Sequence, residues 1–415
     1  MKKEKISDVG IISFSLHSDG YNFGAALHSF AFQKYLDKIG VDNVIINYFP
    51  KSVWRNCVLN DIFMNIIKFQ FISMFKNIIK LFFILIKKKK FHNFFKRNCN
   101  ITNKQYNVKS LEKLNTISRF VCETDVTWAH LKGGYDRGFL CDLPNMKNKK
   151  NVAYSVDFGS KDISFNDAIL LKKYAKNFDK ISIRNIFKLD YFKNIVDRND
   201  ITITIDPVFL IDSTDYVKIA EEIKYEKDYV LVYNCQENNT EMIEKAYKYA
   251  KENSLDVKII NCFMNNYQKI EDSYPTLIGI EKVLGLIKNC KFLFTNSYHG
   301  ICFGIIFEKE FFAFSRKANN EKILTVLRLF NLENRLINDK EIMPCNIDYI
   351  SAKNFATEII QKSKLFIEDA LKEKILGGGV TLKHPINRFI KETFINFNLN
   401  FMKVFYCLCN NFWGI

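Results

Sequence analysis

The chain has 415 residues, more than one hydrophobic core usually serves, so two domains are expected. Apolar residues make up 48% and charged residues 26%, a balance that excludes a disordered chain. The net charge of +16 calls for anionic counterparts; with no helix-turn-helix, zinc-finger or RNP-type signature, nucleic acid gives way to an anionic membrane or small anionic substrates.

The eleven cysteines are scattered, mostly in apolar runs, and the one close pair, Cys407 and Cys409, has no His or Cys cluster beside it. They read as free thiols in a reducing compartment, with no metal site. The N-terminus, Met1 to Lys5, leads straight into a strand-like segment with no secretory apolar region, so a cytoplasmic location is expected.

Residues 9–15 form a short apolar run typical of a buried parallel strand. Residues 25–39 repeat their apolar positions at helical spacing, Gly40 is placed to end that helix, and 43–48 is a second strand. This βαβ opening lacks the full GxGxxG fingerprint, so a dinucleotide site is not supported.

A different segment follows, at about 58–98. Ile, Phe and Leu are interrupted by Lys68, Lys76 and Lys80 and run into Lys87, Lys88, Lys89 and Lys90, too charged to span a bilayer. It reads as an amphipathic basic helix, lying on an anionic membrane surface or packed in the core.

Strands are expected at 118–122, 151–155, 180–183 and 201–205, the last ending at Asp206 and Pro207, where a turn is expected rather than chemistry. A second series alternates strands at 229–234, 256–261, 291–296 and 310–315 with helices at 242–252, 281–289 and 300–307. The fold class is therefore α/β, with two Rossmann-like doubly wound domains at 1–215 and 216–345. A closing helix at 346–376 and a basic, aromatic helical tail at 377–415 complete the plan.

Ligands bind beyond the carboxyl ends of such strands, which directs attention to three places. His299 follows a strand and opens a helix, where amides suit an anion and an imidazole exchanges protons near neutral pH; Asn296 or Ser297 capping that helix is the plainer account. Of Glu123 and Asp125, at another strand end, Asp125 is expected to face the cleft, with Trp128 as a stacking wall for a sugar. Arg184 ends a strand where it can clamp phosphate or carboxylate, and Arg316, Lys317 and Lys322 form a cationic rim.

In this order the pieces resemble the polysaccharide pyruvyl transferase family. Residues 22–36, beginning Asn22, Phe23, Gly24, Ala25, Ala26, Leu27, His28, resemble its N-Y-G-A-x-L-Q-x-x-A-L-Q-x-x-L signature. Asp125 and Trp128 match its G-S-D-x-x-W segment, Ser182 to Arg184 match S-x-R, Asp206 to Leu210 match D-P-T-x-L, and Thr295 to Gly300 resemble T-x-S-F-H-G. The chain departs from the pattern at Glu123 and Thr124, and at Ser297, where some members carry Arg; Arg316 or Lys322 would then take that cation's place.

The resemblance implies a GT-B-like pair of domains with the active site between them, phosphoenolpyruvate as donor, no metal, and a sugar acceptor, expected to be lipid-linked and met at the inner membrane surface. His299 and Asp125 are the expected catalytic acid and base, and Arg184, Asn22, Gly24, Trp128, Asn296, Ser297, Arg316, Lys317 and Lys322 the expected substrate-binding residues. A nucleotide-sugar glycosyltransferase, with Glu308 or Glu321 holding a ribose, and a non-catalytic membrane adaptor are the alternatives.

Overall fold

The computed structural model describes residues 7–17, 22–50, 71–131, 134–159, 163–235, 239–261, 273–274, 277–316, 320–337 and 346–371. Met1–Lys372 form one compact unit. The 377–415 tail, Lys317 and the start of the 58–98 insert lie outside the described residues.

The first sheet contains β1 (Ser7–Ile12), β2 (Asn43–Ile45), β3 (Ile117–Asp125), β4 (Lys150–Val156), β5 (Lys180–Ile183) and β6 (Thr202–Ile203). Its strands are all parallel, in the order β2-β1-β3-β4-β5-β6. The order reverses between β1 and β3, and in such sheets ligands bind at the carboxyl ends beside that reversal. The second sheet contains β7 (Tyr229–Asn234), β8 (Asp256–Asn261), β9 (Ser273–Tyr274), β10 (Phe292–Thr295), β11 (Glu310–Phe314) and β12 (Leu336–Ile337). It is parallel in the order β12-β11-β10-β7-β8-β9, reversing between β7 and β10. Two doubly wound α/β sheets are thus observed, as the alternating pattern predicts.

Helix α1 (Phe23–Lys38) begins where Asn22 accepts from the Gly24 amide, and Gly40 at φ +74° follows its end. Helix α2 (Phe71–Asn98) is the insert. From Lys87 onward it is a core helix on one side: Phe91 and Phe94 pack on Phe23 and Phe30 of α1 at 5.6 and 5.8 Å. Burial of each such ring contributes about 1.5–3 kcal/mol. Lys88, Lys89 and Lys90 point to solvent and Leu85 is 53% exposed, so the lysine-rich face is a separate face of the same helix. Among the described residues no helix is long and apolar enough to cross a membrane.

Helices α3 (Phe165–Ala175) and α4 (Leu189–Val196) flank the first sheet; α5 (Thr240–Glu252), α6 (Ile280–Asn289), α7 (Tyr298–Ile306) and α8 (Asn320–Leu329) belong to the second. Phe292, Phe294, Phe312 and Phe314 stack along one face of that sheet, covered by Tyr249 of α5. Helix α9 (Tyr349–Leu371) ties the two sheets together. Its Tyr349 hydroxyl donates to the Lys309 carbonyl in the second. Farther along, Ser363 Oγ accepts from the Ile205 amide at 2.8 Å, and Glu368 accepts from Tyr35 of α1 at 3.0 Å.

Of the cysteines, Cys99, Cys122, Cys141, Cys235, Cys290 and Cys302 are described and are free thiols, four of them buried. That agrees with reading them as apolar packing residues.

Candidate active site

The carboxyl ends of the first sheet's strands converge on one guanidinium. Arg184, just beyond β5 and 3% exposed, donates from Nη1 to Asp206 Oδ2 at 2.8 Å. Its Nη2 lies 3.6 Å from Asp125 and 3.7 Å from Asp157, and its Nε has no hydrogen-bond partner. The ring of Tyr298 stacks on the guanidinium at 4.8 Å. Lys322 of α8 reaches across from the second sheet to Asp157 at 3.3 Å and Asp125 at 3.8 Å.

Burial opposes the charge on each of these aspartates, but the cations outweigh it. Lys322 and Arg184 hold Asp125 below its ordinary value and Asp157 at about 2; His299 and Arg184 hold Asp206 far below. The carboxylates stay ionised at neutral pH. Asp125 does so at φ 61°, ψ −168°, a backbone region that a side chain strains to occupy, at a cost of order 1–3 kcal/mol.

His299 enters from the second sheet, 8% exposed, in the first turn of α7. Its Nε2 is 3.6 Å from Asp206 Oδ2, an ion-pair distance longer than a hydrogen bond. Its ring lies against the start of α1: a Cβ added at Gly24 would meet Nδ1 at 2.0 Å, so only glycine admits the imidazole there. Burial lowers the His299 pKa, the charges of His28 and Arg184 add to that, and Asp206 opposes it. Deeper in α1, His28 Nδ1 meets Glu123 Oε1 at 2.8 Å.

The structure brings His299, Asp125, Arg184, Lys322 and Gly24 together, and it corrects several expectations. Trp128 is no sugar platform: it is fully buried, packed on Phe178 at 4.9 Å and Phe192 at 5.7 Å, because the turn after Asp125 drives the indole under the sheet edge. Asp206 does more than shape a turn. One oxygen accepts from the Val208 amide, and the other faces Arg184 and His299.

Glu123 is engaged as well as Asp125, since residues two apart share a face of an extended strand. Ser297 caps α7, accepting from Gly300. Asn296 binds the Cys235 amide at 2.6 Å and Asn234 at 3.3 Å, tying β10 to β7. Both do structural work, the plainer of the two accounts. Asn22 likewise caps α1. Arg316 is buried, and its amide bonds Asn320 at the head of α8.

Asp157 carries weight that the sequence reading did not assign it, and Glu321 a different one from the ribose contact weighed there. Asp157 follows β4, and its place at a strand end was the signal available. Glu321 accepts from Asn185 at 3.2 Å and lies 3.7 Å from Lys188, so the start of α8 is latched to the first sheet; those contacts leave it engaged rather than poised for a ribose.

Residues 22–318 match the family described as polysaccharide pyruvyl transferase. No curated protein matches the chain significantly. Similar solved structures include the UDP-GlcNAc 2-epimerase of Methanocaldococcus jannaschii in complex with UDP-GlcNAc and UDP (13% identity, 86% of this chain and 93% of that one, TM-score 0.44). A putative UDP-N-acetylglucosamine 2-epimerase from Listeria monocytogenes (7%, 88% and 91%, 0.45) and MnaA of S. aureus with UDP (9%, 88% and 92%, 0.44) are others. Similarity at that level carries no functional argument. The family match spans the signature at Asn22, the carboxylates of Glu123, Asp125, Asp157 and Asp206, Arg184 and His299, and on that ground the chain belongs to the polysaccharide pyruvyl transferase family and is a transferase.

Proposed function

We propose that this enzyme transfers the enolpyruvyl group of phosphoenolpyruvate to two hydroxyls of a sugar, forming a cyclic pyruvate ketal during bacterial capsular or exopolysaccharide synthesis, with no metal or other cofactor. The observation that carries the reading is His299, held between Asp206 and the bare Cα of Gly24, with Arg184 on the same Asp206 and Lys322 on the neighbouring Asp125 and Asp157. A proton donor beside paired cations is what protonation of an anionic enol phosphate requires.

Arg184, whose Nε–H donates to nothing, and Lys322 hold the donor's phosphate and carboxylate, assisted by the amides that open α7. Against three aspartates these two cations leave no surplus positive charge. The incoming negative charge is therefore met by proton uptake at His299, whose pKa rises when an anion arrives.

Protonated His299 delivers its proton to the methylene carbon, which becomes the methyl group, and positive charge develops at C2. One sugar hydroxyl adds to C2, and Asp125 takes its proton. The C2–O bond to phosphate then breaks, the second hydroxyl closes the ring, and phosphate leaves with the remaining proton. Two hydroxyl protons are lost; one is balanced by the new methyl hydrogen and one departs with phosphate.

The acceptor is proposed to be lipid-linked and met at an anionic membrane face on the cytoplasmic side. Support comes from the net charge of +16 and the solvent-facing lysines of α2.

The test is thermal unfolding with and without phosphoenolpyruvate, alongside phosphate release. A ligand at a hundred times its dissociation constant adds about 2.7 kcal/mol to apparent stability. The stabilisation is expected in the wild type and lost in Lys322→Gln, while His299→Ala loses a factor of about 10²–10⁴ in turnover. Stabilisation by a nucleotide sugar alone would instead make this a glycosyltransferase.

A further inference from the structure

The reaction so described leaves one buried pair at its centre unused. His28 and Glu123 are both fully buried, with Nδ1 and Oε1 2.8 Å apart. The other oxygen of Glu123 accepts from Ser29 Oγ at 3.0 Å, and Ser29 meets Ser13 Oγ at 2.7 Å, so the carboxylate is fixed from two sides. Among the described residues, His28 Nε2 has no hydrogen-bond partner. His28 stands four residues after Gly24 and so shares its face of α1, the face that receives His299. The two imidazole rings are 6.1 Å apart, inclined at 33°. Burying an imidazole and a carboxylate together is costly unless the pair is used or well bonded, and here one ring nitrogen is bonded to nothing.

We propose that Glu123, His28 and His299 act as one unit, in which His28, anchored by Glu123, sets the protonation of His299 for the transfer step. The inference rests on the pyruvyl-transfer reading. His28 touches no reacting atom in it and is a positioning residue.

The electrostatics agree with the geometry. Burial works against the charge on His28, but Glu123, with Asp206 and Asp125 behind it, raises its pKa and so favours the protonated ring. The groups that face His299 are His28 from α1, Asp125 at the end of β3, Arg184 after β5, Asp206 after β6 and its neighbour Tyr298. With His28 charged, His299 stays neutral until a donor anion offsets the repulsion. Proton uptake by the acid is thereby tied to donor binding, and water has no charged His299 to exchange with beforehand.

The experiment is NMR titration of the histidine side chains, with pH–rate profiles, in wild type, His28→Gln and Glu123→Gln. Gln is the residue the family signature carries at position 28, and it keeps a polar contact for Glu123. Removing a like charge is expected to move the His299 titration, and the alkaline limb of the rate profile with it, to higher pH in His28→Gln. The plateau turnover should fall several-fold, because a less acidic His299 gives up its proton more slowly, and by less than on loss of the acid itself. In Glu123→Gln, the His28 titration should move to lower pH.

A His299 titration unchanged in His28→Gln, with the profile unmoved, overturns the inference, as does a His28 that titrates alike with and without Glu123. If the titrations shift as expected while the wild type neither binds phosphoenolpyruvate nor releases phosphate from it, the imidazole coupling stands and the assigned reaction falls.

Discussion

The carboxyl ends of the two sheets meet at the same centre and are built from opposite materials. Beyond the first sheet stand acidic and basic side chains: Glu123, Asp125, Asp157, Arg184 and Asp206. Beyond the second stands a lattice of neutral amides and hydroxyls, with Asn234, Asn261 and Asn296 bonded to one another and Thr295 to the Tyr233 carbonyl. His299, Tyr298, Glu321 and Lys322 bring titratable groups across from it. The first end stores charge and the second fixes position. Charge in a low-dielectric site is strong but indiscriminate, whereas neutral hydrogen bonds hold α7 and its imidazole in one place.

The sharpest way to break this contrast is Arg184→Ala. Removing one partner from a buried ionic cluster costs about 3–5 kcal/mol, because the carboxylates stay behind uncompensated. Denaturant unfolding should show that loss, and acidification, by protonating Asp125, Asp157 and Asp206, should recover part of it. An Arg184→Ala protein as stable as wild type at neutral pH would mean the carboxylates are not charged there.

Gly24→Ala tests the seam between the two ends. The new methyl would overlap His299 Nδ1, so it should cost about 1–3 kcal/mol in overpacking and displace the imidazole. Turnover should fall nearly as far as in His299→Ala. Retained turnover would show that His299 need not sit against α1.

The smallest effect is expected in the neutral lattice. Asn296→Ala removes two hydrogen bonds worth about 0.5–1.5 kcal/mol each, and the loss should be the same at pH 5 and pH 8. A strong pH dependence would place a charge where the structure has none.

Helix α2 differs from both ends. Its composition admits a membrane-surface helix or a core helix, and its described half is core on one face and lysine-rich on the other. Periodicity alone does not say which apolar residues find a partner.

Most of the fold was legible along the chain. The expected strands at 180–183, 229–234 and 256–261 agree with β5, β7 and β8 residue for residue, since each is a short apolar run bounded by helix or turn signals. The strands β9 and β12, of two residues each, were not predicted, because so short a pairing leaves no pattern. Within the site, Arg184 and His299 were legible from their places after strands. Trp128 was misread because an aromatic beside an acidic strand end looks alike whether it faces solvent or core.

What the sequence by itself determined is the order of strands and helices, the two-sheet class and the strand ends where chemistry gathers. These follow from local periodicity and from residues such as Asn22, Gly40 and Ser297, whose effects reach no farther than a helical turn. The tertiary structure alone decided that Asp125, Asp157 and Asp206 share one guanidinium, that Lys322 crosses to meet them, and that Gly24 and His28 receive His299. Those groups are tens to hundreds of residues apart. Their ionisation depends on burial and on distances of a few ångströms, which packing alone sets.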